Sequence, residues 1–376
     1  MRDKLIPRLV VQLSMTKCRA PVFVGAEKPL EIREFDIPQV GAGEGLVRMV
    51  YAGICGSDAR EWHNHETETP MIFGHENVGV LEKLGEGKKY DAVGQEISEG
   101  DYVAFCSVAP CMNCYTCVVL KEFSQCERGI KYGLSRCDSR PYLRGGYGEY
   151  VHLMPGVGIV KIQGKEHIQK ALLAAIGNKT LVHAIQRANG ISAGDTVVVQ
   201  GTGPIGLSAI VQAKLCGGRV IAIGAPSHRL DLARSLGAIR TLNIEELKTP
   251  KERVRAITDL TDGKGADVVI EASGASTACD EALQMVRIGG KFILVGMDMT
   301  KKRTMDPFQV TRKGIHVTGT YAASPTDLYK AMLGLRDVEI PFDRIFTHKF
   351  PMVEATEGIL SVDRLEPVIG LIDHSR

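Results

Sequence analysis

Apolar and polar positions follow different rhythms in successive stretches of the chain. From residue 16 to about 160, apolar runs are short and broken by glycine, as in LVRMVYAGICG, NVGVLEKLG, GDYVAFC and GYGEYVHL. Short β-rich runs between turn signals predict a barrel- or sandwich-like β unit. From 181 to 325 the pattern changes. TVVVQ, RVIAIG, DVVIEASG, KFILVG and IHVTGT are compact β-rich runs, and between them IGLSAIVQAKLCG, HRLDLARSLGA and TACDEALQMVRIG place apolar residues at helical spacing. Such alternation predicts a parallel sheet with helices on both faces. Residues 326–376 carry helix patterns at TDLYKAMLGLRD and VEATEGILSVD and a last short strand, PVIGLI. Residues 1–15 read as a short extension, because Pro7 and Arg8 break its apolar run and Lys17 and Arg19 follow without a small-residue cleavage site.

Composition narrows the class. Of 376 residues, 44% are hydrophobic and 24% charged, which excludes disorder, coiled coil and collagen as global descriptions. Lys and Arg number 46 against 44 Asp and Glu, a formal charge of +2. That balance argues against nucleic acid or an anionic membrane as the main partner. No stretch reaches the roughly 18 apolar residues of a membrane span. The expected location is the cytoplasm. In a reducing compartment the ten cysteines, where they cluster, are expected to be metal ligands or catalytic groups rather than disulfides.

Two motifs carry chemistry. After the strand-like run Asp195–Gln200 comes Gly201-Thr-Gly-Pro-Ile-Gly206, and a helical pattern follows it. G-x-G-x-x-G in this context is a dinucleotide-binding turn. Gly201 permits the tight turn, Gly203 lets a pyrophosphate approach the backbone, and Gly206 lets helix and strand pack closely. The helix N-terminus supplies N–H donors. At the end of the next strand, where NAD sites place a carboxylate, stands Gly224, with His228 and Arg229 beyond it. The missing carboxylate and Arg229 tilt the reading slightly toward NADP. Candidate cofactor-binding residues are Gly201, Gly203, Pro204, Ile205, Gly206, Gly224, Arg229 and Thr180.

The second motif is the series Cys111, Cys114 and Cys117 at C-x-x-C-x-x-C, with Cys126 nine residues on. This fits a closed tetrahedral zinc site in a lobe over about 106–127. A sparser group, Cys55 in Gly53–Asp58 and His75-Glu76 in Phe73–Asn77, is the start of a catalytic zinc site with open coordination. Asp58 is a candidate to orient the imidazole.

Taken together, these residues resemble the zinc-dependent medium-chain alcohol dehydrogenase family, in its polyol, sugar and threonine dehydrogenase branch. The resemblance runs from about Met15 to Asp373. It rests on Gly53–Asp58, Gly74–Glu76, Gly100–Val103, the four-cysteine lobe, Gly145–Tyr150 and Gly201–Gly206. It implies an α/β chain in which a GroES-like β-rich catalytic domain (16–180) is followed by a Rossmann doubly wound parallel-sheet domain (181–325), with residues 326–376 returning to the first. It further implies that Cys55 and His75 bind a catalytic zinc, that Glu76 lies beside the metal, and that Ser57 relays the alcohol proton. The expected reaction is hydride transfer between a secondary, polyhydroxylated or functionalised alcohol and NAD(P), by a homodimer or homotetramer.

The chain departs from that pattern in places. The family's third zinc ligand falls on Ile176, which cannot bind metal, so either Glu76 serves as third ligand or the catalytic zinc is weak or lost. Arg60 stands where the relay's outer histidine is usual, leaving His63, His65 or solvent. Gly56 replaces a basic residue, and the Cys117–Cys126 interval is one residue long. His183 reads as a surface residue, and Lys179 as a cation that would polarise a carbonyl only beside a metal-poor site. A metal-free NADPH-dependent reductase on the same scaffold, or a nucleotide-binding protein without turnover, are the competing expectations.

Overall fold

The computed structural model describes residues 16–296 and 302–376. The expected extension over 1–15 lies outside the described residues. Among these residues, no helix is long and apolar enough to cross a membrane.

Six strands form one parallel sheet: β1 (Thr196–Gln200), β2 (Arg219–Gly224), β3 (Ala238–Asn243), β4 (Ala266–Glu271), β5 (Val286–Leu294) and β6 (His316–Gly319), in the order 3-2-1-4-5-6. The all-apolar centre of β1 follows from burial on both faces. Val197 and Val199 join one core cluster with Ile210 and Leu207, while Val198 joins another with Ile257 and Phe292. Strand order reverses beside β1, and the crevice at the carboxyl ends of β1 and β4 is where such sheets bind ligands.

One expected helix is shorter than its sequence pattern. TACDEALQMVRIG is helical only over Ala278–Met285, and Val286 opens β5. The pairing explains the switch. Val286 pairs with Ala266 but Lys291 with Val268, so the glycines at 289 and 290 sit in an irregularity that lets the chain leave the helix straight into the sheet.

The β-rich unit centres on the strand Gly45–Ile54. It pairs antiparallel with Asn77–Leu84, Tyr150–Leu153 and the C-terminal strand Gly370–Asp373, so the end of the chain completes the first sheet. This geometry sets the site. Cys55 leaves the end of Gly45–Ile54, and His75-Glu76 enter the neighbouring strand, with Ala52 opposite Asn77. After Cys55 the chain forms the helix Gly56–His63.

A long buried helix links the two units. It runs as Ile168–Leu173, widens into a π-helical turn over Ala174–Asn178, and continues as Lys179–Arg187. Asn178 holds the wide turn: its side-chain amide donates to Leu173 O at 3.0 Å and accepts from Gln212 Nε2 at 2.9 Å. π turns of this kind are frequent at functional sites.

Candidate active site

One ligand atom each from Cys55, His75 and Glu76 lies within 4.8 Å of the others. Two adjacent strand ends bring them together. Asp58, fully buried, accepts from the Cys55 backbone N–H and from the Tyr147 hydroxyl, both at 2.9 Å. Its other oxygen stands 3.4 Å from His75 Nδ1. With Nδ1 turned to Asp58, Nε2 is the nitrogen left for a metal. Burial alone would push the His75 pKa down, but the Asp58 charge and contacts with Cys55 outweigh it and hold the imidazole well above its ordinary value. Burial raises the Glu76 carboxyl. A divalent cation displaces such protons when it binds. Ser57 Oγ and Glu76 Oε2 are buried with no hydrogen-bond partner among the described residues, so polar groups converge on one point with capacity to spare.

Ile176, on the π turn, faces this centre. A Cβ added at Gly53 would stand 3.1 Å from Ile176 Cγ1 and 2.5 Å from Glu76 Oε2. Gly53 is therefore required by close approach. Ile176 therefore lies beside the Cys55–His75–Glu76 group, in which Glu76 is the carboxylate.

The relay question narrows. Arg60 lies one turn beyond Ser57 on its helix, with a buried Nε that has no partner among the described residues. His63 is engaged at both nitrogens, by Glu27 at 3.2 Å and Asp363 at 3.1 Å, and the Asp363 and Glu27 hydrogen bonds raise its pKa. Both ring nitrogens of His63 are thus occupied by carboxylates. Exposed His65 and solvent remain. His183 is half-buried rather than simply on the surface, and bonds Asp327 at 3.0 Å.

The four lobe cysteines also lie within 4.8 Å of one another, and all ten cysteines are free. Cys114 precedes the short helix Tyr115–Val118, which carries Cys117. The Asn113 N–H and neighbouring thiols pull the Cys111 thiol down to about 6, whereas burial pushes Cys117 up to about 12. Four converging sulfurs, one already acidified, suit a closed thiolate site for zinc.

At the glycine turn, Gly201 has φ +107°, and a Cβ at Gly206 would overlap the Gly201 carbonyl oxygen. A Cβ at Gly203 would meet nothing within 4 Å, leaving a backbone cradle at the start of the helix Pro204–Leu215 that a pyrophosphate fits. Pro204 and Ile205 form its first turn, and Thr180 is half-buried on the linking helix. Gly224 abuts Thr202, whose side chain a Cβ would strike. Arg229 does not match its expected role. It is 9% exposed, and its Nη2 donates to Leu365 O at 3.0 Å and Pro367 O at 2.8 Å. This guanidinium fastens the parallel-sheet unit to the C-terminal segment.

Comparisons with known proteins agree across the chain. A model described as alcohol dehydrogenase GroES-like domain matches residues 41–164, and one described as zinc-binding dehydrogenase matches 204–336. A 5-exo-hydroxycamphor dehydrogenase of Pseudomonas putida is 31% identical over 374 residues, covering 94% of this chain and 99% of the relative. An L-threonine 3-dehydrogenase of Bacillus licheniformis is 31% identical over 337 residues, covering 86% and 89%. The crystal structure of an alcohol dehydrogenase from Thermotoga maritima superposes with a TM-score of 0.89 at 30% identity, covering 95% of this chain and 99% of that one.

Proposed function

The chain belongs to the zinc-dependent medium-chain alcohol dehydrogenase family and is an NAD(P)-dependent oxidoreductase acting on a CH–OH group; from that premise we propose that it interconverts a secondary, polyhydroxylated or otherwise functionalised alcohol with its ketone, using a catalytic zinc at Cys55, His75 and Glu76. The convergence of these three ligand atoms within 4.8 Å, beside an unpartnered Ser57 hydroxyl, carries the reading. A zinc ion held there supplies Lewis acidity that lowers the pKa of a bound alcohol.

The chain's own residues supply the rest. Ser57 Oγ accepts the alcohol proton and passes it outward toward solvent. Asp58, held by Tyr147, fixes the His75 ring. The loop Gly201–Gly206 would hold the dinucleotide, with Thr180 of the linking helix as a further contact. Ile176 closes the pocket with an apolar wall that keeps water from the transferring hydride. Glu76 completes the ligand set in place of Ile176. The lobe cysteines Cys111, Cys114, Cys117 and Cys126 hold the structural zinc.

Gly224 leaves the ribose without a carboxylate, and Arg229 is bonded elsewhere, so neither attraction nor repulsion selects strongly. Both NAD and NADP serve, with kcat/KM values within about a factor of ten, the scale of a single weak polar contact. A homodimer or homotetramer is supported by exposed Ile288 and Phe308, at 75% and 65%, on the β5 side of the sheet. The test is NAD(P)H formation by zinc-loaded enzyme from a panel of secondary alcohols and polyols. No turnover across the panel by enzyme holding both zinc ions overturns the proposal.

A further inference from the structure

A groove with about 170 Å³ of free volume lies where the strand Ile159–Lys161, the helix Ile168–Leu173 and the helix Pro325–Leu335 meet. One water needs only about 10–15 Å³ of such space, so the groove takes an organic molecule of several carbon atoms. None of the residues assigned above to the metal centre or to the dinucleotide turn lines it.

Its floor is apolar. On the helix Pro325–Leu335, Leu328, Ala331 and Leu335 form a buried stripe that packs into the core. Tyr329, Met332 and Leu333, at i, i+3 and i+4, form a second stripe along the groove. That stripe is only partly covered, and Leu333 is 47% exposed. Ile162 and Ala171, both buried, complete the floor.

The rim is basic. Lys161, His167, Lys170 and Arg336 line the groove, and among the described residues no Asp or Glu does. Acids reach these groups only from outside it. Asp101 stands 2.7 Å from Lys161 and neutralises it. Asp337 stands 3.2 Å from Arg336, with both side chains more than half exposed, and Glu166 is 3.8 Å from His167. Such exposed pairs contribute little. Lys170 Nζ donates to the Arg336 carbonyl oxygen at 2.5 Å, at the end of the helix whose second apolar stripe Arg336 continues. The carbonyl end of a helix carries about half a negative charge, which offsets the ammonium only in part. Lys170 and Arg336 thus bring positive charge to one end of an apolar floor, with no buried carboxylate to balance it.

We propose that this groove binds an amphipathic organic anion, a carboxylate on a short alkyl or aryl body. The apolar body lies on Ile162, Tyr329 and Leu333, and the carboxylate meets Lys170 and Arg336, whose guanidinium fork suits a carboxylate. Charge complementarity selects the sign. A neutral analogue covers the same floor without meeting the cations, and a cationic one is repelled.

Calorimetric titration of the full-length enzyme with hexanoate, 1-hexanol and hexylammonium tests the inference without turnover. Wild-type protein should bind hexanoate about tenfold to a hundredfold more tightly than 1-hexanol, the range of a charge-assisted hydrogen bond, and hexylammonium more weakly still. The double variant Lys170→Gln, Arg336→Gln should lose most of that preference. Leu333→Glu, which sets a carboxylate on the floor, should weaken hexanoate about tenfold or more while melting close to wild type. It changes an exposed helix position, so it carries the test alone should the double variant not fold. Equal binding of hexanoate and 1-hexanol by wild-type protein overturns the inference. So does a preference for hexanoate that survives undiminished in Leu333→Glu, because the anion is then held elsewhere, as at the zinc centre.

Discussion

The Tyr147 hydroxyl donates to Asp58 Oδ2 at 2.9 Å, across 89 residues of sequence. Burial and the Asp58 charge raise the phenol well above its ordinary pKa, so it remains a donor. Through this bond the motif Gly145–Tyr150 supports the motif Gly53–Asp58. One carboxylate then holds the Cys55 backbone and faces the His75 ring. Tyr147→Phe should weaken catalytic zinc about tenfold or more, as loss of an outer hydrogen bond to a ligand commonly does. Competition with a chromophoric chelator measures this, and the lobe zinc should be unaffected.

Ile176 lies across Gly53 from Glu76, at the edge of the Cys55–His75–Glu76 group. Ile176→Glu should therefore add a carboxylate to the ligand set and tighten catalytic zinc by about tenfold or more, the scale of one further charged ligand interaction. Unchanged affinity in the same chelator competition would mean that the π turn does not present this side chain to the metal.

The glycines of the nucleotide turn should separate by role. Gly203 has open space at its Cβ position, whereas Gly206 lies against the Gly201 carbonyl. Gly203→Ala should melt close to wild type yet bind NAD(P) much more weakly. Gly206→Ala should lower thermal stability, since an overpacked contact costs about 1–3 kcal/mol. Equal melting temperatures for the two variants would refute the distinction.

Arg229 tests cofactor choice. Arg229→Ala removes donors from the carbonyls of Leu365 and Pro367 and should cost about 1–3 kcal/mol in chemical denaturation. The NAD-to-NADP ratio of kcat/KM should barely move. A selective loss of NADP activity would restore this guanidinium to the cofactor site.

Much of this was legible from residues alone, for physical reasons. β1 announces itself because burial on both faces demands an unbroken apolar run. The glycine turn and the lobe cysteines announce themselves because the chemistry and its spacing coincide in sequence. What was hidden depends on long-range contacts. Asp58 is legible as a partner for the imidazole, but its bond to Tyr147 joins two motifs 89 residues apart. Arg229 looks like a phosphate binder because its carbonyl partners lie about 136 residues away. The π turn over Ala174–Asn178 has no periodic signature of its own, since Ser208 and Gln212 of the packing helix hold its Asn178. The contact of His63 with Asp363 is equally hidden, because that partner comes from the far end of the chain.

Zinc quantification by plasma mass spectrometry, run beside NAD(P)H formation from a secondary alcohol, tests the catalytic centre most directly. Wild-type enzyme should carry two zinc ions per chain. His75→Ala should keep one, in the cysteine lobe, and lose turnover. Two zinc ions retained in His75→Ala, or full-rate oxidation by wild-type enzyme that holds only the lobe zinc, would contradict a catalytic zinc at Cys55, His75 and Glu76.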